Sequence, residues 1–264
     1  MNNRVKFSNR ILSGVAAVAL GITAVIGAPA NGAMAQDAKA MDKSAVENIV
    51  RDYLLANPEI LIEMQQALEA KQQEARQLSQ AKTLEEQHDK IFNSENQMVI
   101  GNPDAEISIV EFFDYNCGFC KRALADMDKM VAENPDVKFI MKEFPVLGEG
   151  SLQASQVSMA IMHEYPELYA EFHRKLLGGA GQKDGQRALA VAGELGADVE
   201  KLKASMAHDK NTDALREVYA LADGLGISGT PSYVIGDEVV FGAVGYANIL
   251  PKVANIRQCG KTVC

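Results

Sequence analysis

Tryptophan is absent from this 264-residue chain, and cysteine and histidine occur only four times each. Without an indole, no tryptophan emission can report the oxidation state of a neighbouring group. His88, His163, His173 and His208 stand apart without the spacing of a metal-ligand set, which leaves surface or half-buried roles for them. No internal repeat or low-complexity tract stands out, and beyond Ala28 no apolar run is long enough to span a bilayer. Positive charge is scarce as well. The formal net charge is −9, and because the first 35 residues hold three basic residues and no acid, the remainder carries −12. Phosphate backbones and anionic lipid surfaces repel such a chain, so nucleic acid is not an expected partner.

What is present begins with a leader. "MNNRVKFSNR" is basic, Ile11 to Ala28 is apolar, and small residues at Ala33 and Ala35 precede Gln36. This order reads as a secretory signal peptide over 1–35, cleaved near Ala35/Gln36. An uncleaved anchor is the alternative, but Gly14, Gly21 and Gly27 dilute the apolar run. Export places the remaining chain in an oxidising compartment, where disulfides persist.

The rest is 47% hydrophobic over the whole chain, enough for a real core. Residues 36–95 read as a thin helical region. "SAVE" at 44–47 matches a capping box, with Ser44 as the cap. Asn57 and Pro58 suit the start of a second helix. Ile49, Val50, Tyr53, Leu61, Met64 and Leu68 form a narrow apolar stripe, interrupted later by Lys71, Lys82 and Glu85. So narrow a stripe cannot build a core, and self-association through 36–95 is the expected use, with one long helix lying on its own domain as the alternative. From 96 to 264 the pattern becomes strand, helix, strand. "AEISIVEFF" reads as a buried strand, 120–133 as a helix and "VKFIMKEF" as a second strand. An all-helical insertion is expected over about 150–225, then a hairpin from "SYVIG" and "EVVFG" and a closing helix around Pro251.

The chemistry concentrates at "DYNCGFC". Cys117 and Cys120 sit where the first strand turns into the helix. A helix start aims unpaired N–H groups and the positive end of the dipole at Cys117, which favours its thiolate. Such CxxC thiols have pKa values from about 3.5 to about 7, against about 8.5 for a free cysteine. Cys120, one turn further in, is placed to resolve a mixed disulfide formed at Cys117. Gly118 and Phe119 between them tune the redox balance. Two other readings stay open: all four cysteines ligating one zinc ion, or a permanent disulfide at 117–120. Cys259 and Cys264 in "CGKTVC" suit a structural disulfide that pins the tail.

"VEFFDYNCGFC", the helical insertion and "GISGTPSYVIG", in that order, resemble the DsbA-like thiol–disulfide oxidoreductases of bacterial envelopes over roughly residues 97–255. The resemblance implies an α/β thioredoxin fold with a helical insertion and a periplasmic location. It implies that Thr230-Pro231 is a cis peptide facing the CxxC, and that Glu111 is a buried acid near the sulfurs, paired with Lys142. Client proteins with cysteines or disulfides and an envelope redox partner are the implied partners; no diffusible cofactor is needed. Strongly oxidising members carry Pro-His where this chain has Gly118-Phe119, and Thr230 is closer to isomerase and reductase practice. "IVRDYLLANPEIL" is similar to the leader of oligomeric suppressor-of-copper-sensitivity C-type proteins. The expectation is therefore an exported disulfide isomerase or reductase that forms a homo-oligomer. A monomeric dithiol oxidase and a non-enzymatic copper-binding or holdase module are the alternatives.

Overall fold

The computed structural model describes residues 42–95, 97–206 and 209–264. The expected signal peptide lies outside these residues. Contacts divide the chain after Pro58, and Glu59–Cys264 forms one unit. Before that division lies α1 (Lys43–Ala56), which has no buried residue. Ser44 is inside this helix and not at its cap; Asp42 precedes it, and the Ser44 hydroxyl donates to the Asp42 carboxylate. Asn57 closes α1 where a helix start was expected. Its backbone N–H and its side-chain amide both donate to the Tyr53 carbonyl, satisfying a carbonyl that helix termination leaves open.

The second unit runs α2 (Ile60–Glu86), α3 (His88–Phe92), β1 (Met98–Gly101), β2 (Ile107–Phe113), α4 (Gly118–Glu133) and β3 (Val137–Glu143). The insertion follows as α5 (Glu149–Glu164), α6 (Tyr169–Gly178), α7 (Gly185–Glu194), α8 (Val199–Met206) and α9 (Asp209–Gly224). Then come β4 (Ser232–Ile235), β5 (Glu238–Phe241) and α10 (Tyr246–Cys259). The closing helix starts five residues ahead of Pro251 and runs through it.

The sheet order is β1-β3-β2-β4-β5. β2 pairs parallel with β3 and antiparallel with β4, and β1 and β5 are antiparallel edges. Helices cover both faces of β2, which is why it reads as a nearly unbroken apolar run. Ile109 and Phe113 pack with Phe139 and Met141 on the face shared by α4–α7 and α10. Val110, Phe112 and Ile140 face the other way, against Ile91 of α3 and Val218 and Leu221 of α9. β1, four residues long, gave no strand signal of its own in the sequence; its pairing with β3 makes it one.

Ile91, ahead of the division expected at residue 95, is 0% exposed and lies in this second core, with Leu84 and Phe92 packed beside it. The polar run from 71 to 90 hid them, because only a few apolar side chains of that stretch meet the sheet. At the other end Cys259 and Cys264 are bonded to each other. Their loop places Thr262, whose backbone N–H and hydroxyl donate to Asp237 at 3.1 and 2.9 Å, against the β4–β5 turn.

If α3 is core, Ile91→Ala costs about 2–4 kcal/mol, the range for deleting a buried aliphatic side chain. Urea unfolding of wild type and variant measures this; equal midpoints mean that α3 is an appendage.

Candidate active site

β2 ends in Phe113, and the turn 114–117 delivers Cys117 to the N-cap of α4. Cys117 is extended there (φ −77°, ψ 114°), and its sulfur accepts the Cys120 N–H at 3.5 Å. A thiol thus takes the place that Ser, Thr or Asp usually fills at a helix start. Two side chains missed in the sequence hold the turn. Asp114 accepts from the Asn116 N–H and the Ser151 hydroxyl, both at 2.7 Å, and from the Leu147 N–H at 2.9 Å. Asn116 donates to the Lys183 carbonyl and accepts the Lys183 N–H, each at 2.7 Å. Asx residues after a strand are turn formers, and that was the available signal. What the sequence could not supply is their partners, which lie 33 to 67 positions away.

Both thiols are free; Cys117 keeps 6% exposure and Cys120 none. Thr230-Pro231 is cis and meets the cysteine corner, with the Cys117 sulfur 3.1 Å from the Thr230 carbonyl. The Cys117 pKa is lowered to about 5. The largest cause is the Cys120 thiol, which donates to the Cys117 sulfur; the Thr230 hydroxyl and the N–H groups of Cys120 and Phe119 add to it, against desolvation. The helix amides therefore contribute, but less than the partner thiol. The Cys120 pKa is pushed well up, first by that same hydrogen bond, then by burial and by the Glu111 charge.

Glu111 is buried on the same sheet face as the sulfurs, and its pKa rises to about 8 through desolvation and then the Cys117 charge. Its expected pairing with Lys142 does not occur. Glu111 is in register with Met141, and Lys142 with Phe112. Adjacent positions in a strand point to opposite faces, so Lys142 lies across the sheet from the cysteines. There its ammonium donates to the Lys90 carbonyl at 2.7 Å. Burial lowers the Lys142 pKa to about 8, and Glu217 partly offsets this.

Gly118 is not required by its backbone: a Cβ there would meet nothing within 4 Å. Phe119 is 56% exposed with the Arg122 guanidinium 4.3 Å above its ring. Phe119 and Arg122 line, with Thr230, Pro231 and Phe241, a cleft of about 370 Å³. Because Cys259 and Cys264 are joined, the four cysteines are not one zinc donor set. Among the described residues no cluster of His, Cys, Asp and Glu is arranged to hold a metal.

A second buried acid went unnoticed in the sequence. Glu143 is in register with Phe113, on the cysteine face, and accepts from the Ser155 hydroxyl at 2.7 Å. Its Oε1 has no hydrogen-bond partner among the described residues. Burial pushes the Glu143 pKa up to about 8; the Ser158 and Ser155 hydroxyls oppose this and the Asp114 carboxylate adds to it. Beside it Ser158 meets the Tyr115 hydroxyl at 2.8 Å, and His173 Nδ1 lies 3.4 Å from the same hydroxyl. Burial, with some help from Arg174, holds the His173 pKa down at about 3.

Comparison with known proteins fits this geometry. Residues 108–254 match the DSBA-like thioredoxin domain. The chain belongs to the DsbA-like thiol–disulfide oxidoreductase family. Residues 42–75 match the copper resistance protein ScsC N-terminal domain. A linker-deleted variant of Proteus mirabilis ScsC is 32% identical, covering 83% of this chain and 97% of its own, with a TM-score of 0.64. A thioredoxin-like oxidoreductase from Silicibacter pomeroyi is 37% identical over 65% of this chain and 98% of its own, at a TM-score of 0.62. Disulfide bond formation protein D of Bacillus subtilis (strain 168) is 28% identical over 165 residues, 58% of this chain and 73% of that protein. No helix among the described residues is long and apolar enough to cross a membrane.

The raised pKa of Glu143 makes this DsbA-like protein's stability depend on pH with a definite sign. The folded state holds that proton more tightly than the unfolded chain, so the stabilisation is complete below pH 4.5 and is lost as pH rises towards 8. Glu143→Gln is therefore expected to stabilise the protein by at most about 4 kcal/mol at pH 8 and by nothing measurable at pH 4. Urea melts at the two pH values test this; a gain of equal size at both contradicts the assignment.

Proposed function

We propose that this protein is an exported disulfide isomerase or reductase acting on periplasmic client proteins, with Cys117 as nucleophile and Cys120 as resolving thiol. The carrying observation is the pair of unlike thiols: one lowered to about 5 and in contact with Thr230, the other fully buried and raised. The Cys117 thiolate attacks a client disulfide. A Cys117–client bond forms, and one client sulfur leaves as thiolate. That thiolate can attack a second disulfide of the same client. A later client thiolate then displaces Cys117 unchanged, so sulfurs are exchanged with no net electron transfer. If the client stalls, Cys120 gives its proton to the fraction of Glu111 that is ionised, whose charge acts on it, and attacks Cys117. The client leaves carrying both electrons as a dithiol, and Cys117–Cys120 is left oxidised. An envelope partner dithiol then returns two electrons. No cofactor enters these steps.

Several features support the isomerase direction. Gly118-Phe119 stands where strong oxidants carry Pro-His, and α1 leaves Ile49, Tyr53 and Leu55 in solvent, an apolar surface suited to joining protomers. Several linked sites holding one client raise the effective concentration of thiol at it. The ScsC-like match over 42–75 favours the same assembly, and a similar Salmonella enterica structure is described as a periplasmic thioredoxin-like protein. A dithiol oxidase is the second reading. It is favoured by the stability of the Cys117 thiolate, because a well-stabilised reduced form makes the disulfide more oxidising.

Cys117→Ser is expected to abolish insulin reduction and refolding of scrambled ribonuclease, and retention of either rejects the nucleophile assignment. Alkylation of wild-type Cys117 should accelerate with a midpoint near pH 5. Removing residues 42–58 should reduce the mass in solution to one protomer and weaken isomerisation more than insulin reduction. An unchanged mass excludes α1 as the joining element.

A further inference from the structure

α2 makes a seam with the end of α9, and its α2 side, residues 79–83, lies between the two family matches, which end at residue 75 and resume at 108. The Ser79 and Thr83 hydroxyls both donate to the Gly224 carbonyl, at 3.2 and 3.0 Å. The Gln80 amide donates to the Leu225 carbonyl at 2.9 Å. A helix leaves its last carbonyls without intrahelical partners; here the partners come from a helix about 145 positions earlier. The approach is close. A Cβ on Gly224 would sit 2.7 Å from the Thr83 hydroxyl oxygen and 3.0 Å from its methyl carbon.

The chain leaving this seam is the one that reaches the sulfur. After Gly224, Leu225 and Ile227 are buried in the core shared with Ile91. Gly226 takes positive φ (67°), and the Ile227 N–H closes back on the Ala222 carbonyl at 2.7 Å. Three residues beyond Ile227 stands Thr230, at Cys117. Nothing lies within 4 Å of a Cβ built on Gly229; downstream of the seam the loop is tied by the Ser232 hydroxyl on the Gly229 carbonyl at 2.8 Å and the Gly242 N–H on the Pro231 carbonyl at 2.9 Å.

We propose that Ser79, Gln80 and Thr83 are positioning residues of the thiol–disulfide exchange site, holding the 225–231 loop so that Thr230 stays against Cys117. The helical segment after residue 75 is then part of the redox machinery and not a spacer between arm and catalytic domain. The inference rests on Cys117 being the working nucleophile.

Gly224→Ala tests it without touching the site. The added methyl overlaps Thr83, pushes α2 off α9 and loosens the loop. Withdrawal of Thr230 removes both its hydroxyl and the carbonyl that accepts from the Cys117 thiol, and is expected to move the Cys117 alkylation midpoint by about half a pH unit, about threefold in the thiolate equilibrium. Insulin reduction is expected to slow with it. An unshifted midpoint in a folded Gly224→Ala protein overturns the proposal. If Gly224→Ala does not fold, the triple variant Ser79→Ala, Gln80→Ala, Thr83→Ala decides by the same measurement, because it removes the three donors and adds no bulk. A wild-type midpoint at ordinary free-cysteine pH, or no insulin reduction by wild type, overturns the functional reading; these seam outcomes leave that reading intact.

Discussion

Everything at the site depends on β2 being paired on both sides and covered on both faces. In such a strand each residue is committed to one face or the other, and the choice alternates with every position. Glu111 therefore falls beneath the cysteines, and Phe112 falls on the other face against α9. Because β3 runs in register with β2, the same alternation sends Glu143 to the cysteine side and Lys142 away from it. The chemical character of the site follows: two carboxyl groups share a face with two sulfurs, and Lys142 is on the other face.

That arrangement means the Cys117 charge is held by neutral donors. A thiol, a hydroxyl and two backbone amides stabilise it. Stabilisation by oriented dipoles is sensitive to geometry, because each donor acts over a hydrogen bond and loses most of its effect when displaced. It therefore matters that the two loops meeting at Cys117 are tied down from outside the motif. Asn116 and Asp114 fasten the turn before α4 to the helical insertion, and the loop carrying Thr230 leaves directly from the end of α9. The insertion, which could look like decoration on a small redox domain, supplies anchors for both sides of the reactive sulfur.

Features carried by local chemistry were legible in the sequence. A β-branched run, a CxxC at its end, the glycines that break the insertion into helices and a Thr-Pro ahead of a strand each signal their own structure. Features that depend on register or on distant partners were not. Composition placed Glu111 and Lys142 in strands, and the family resemblance implied that they pair, but neither could say that they take opposite faces. Glu143, one residue further on, read as the end of a strand. Asn116 was missed, because its bonds to Lys183 need the folded insertion to exist. The short helix at 88–92 was hidden by polar neighbours, since a single buried Ile91 leaves no periodicity to detect.

Ile91 has a practical consequence. A fragment trimmed to begin near residue 96, where the sequence turns from polar helix to strand, would leave the α9-side face of the sheet partly uncovered. Phe112, Phe144 and Ile140 would lose their lid there, and water-exposed aromatic and aliphatic surface of that kind invites clumping between copies. Loss of soluble material from such a fragment would then reflect an opened core and say nothing about whether the missing helices join protomers.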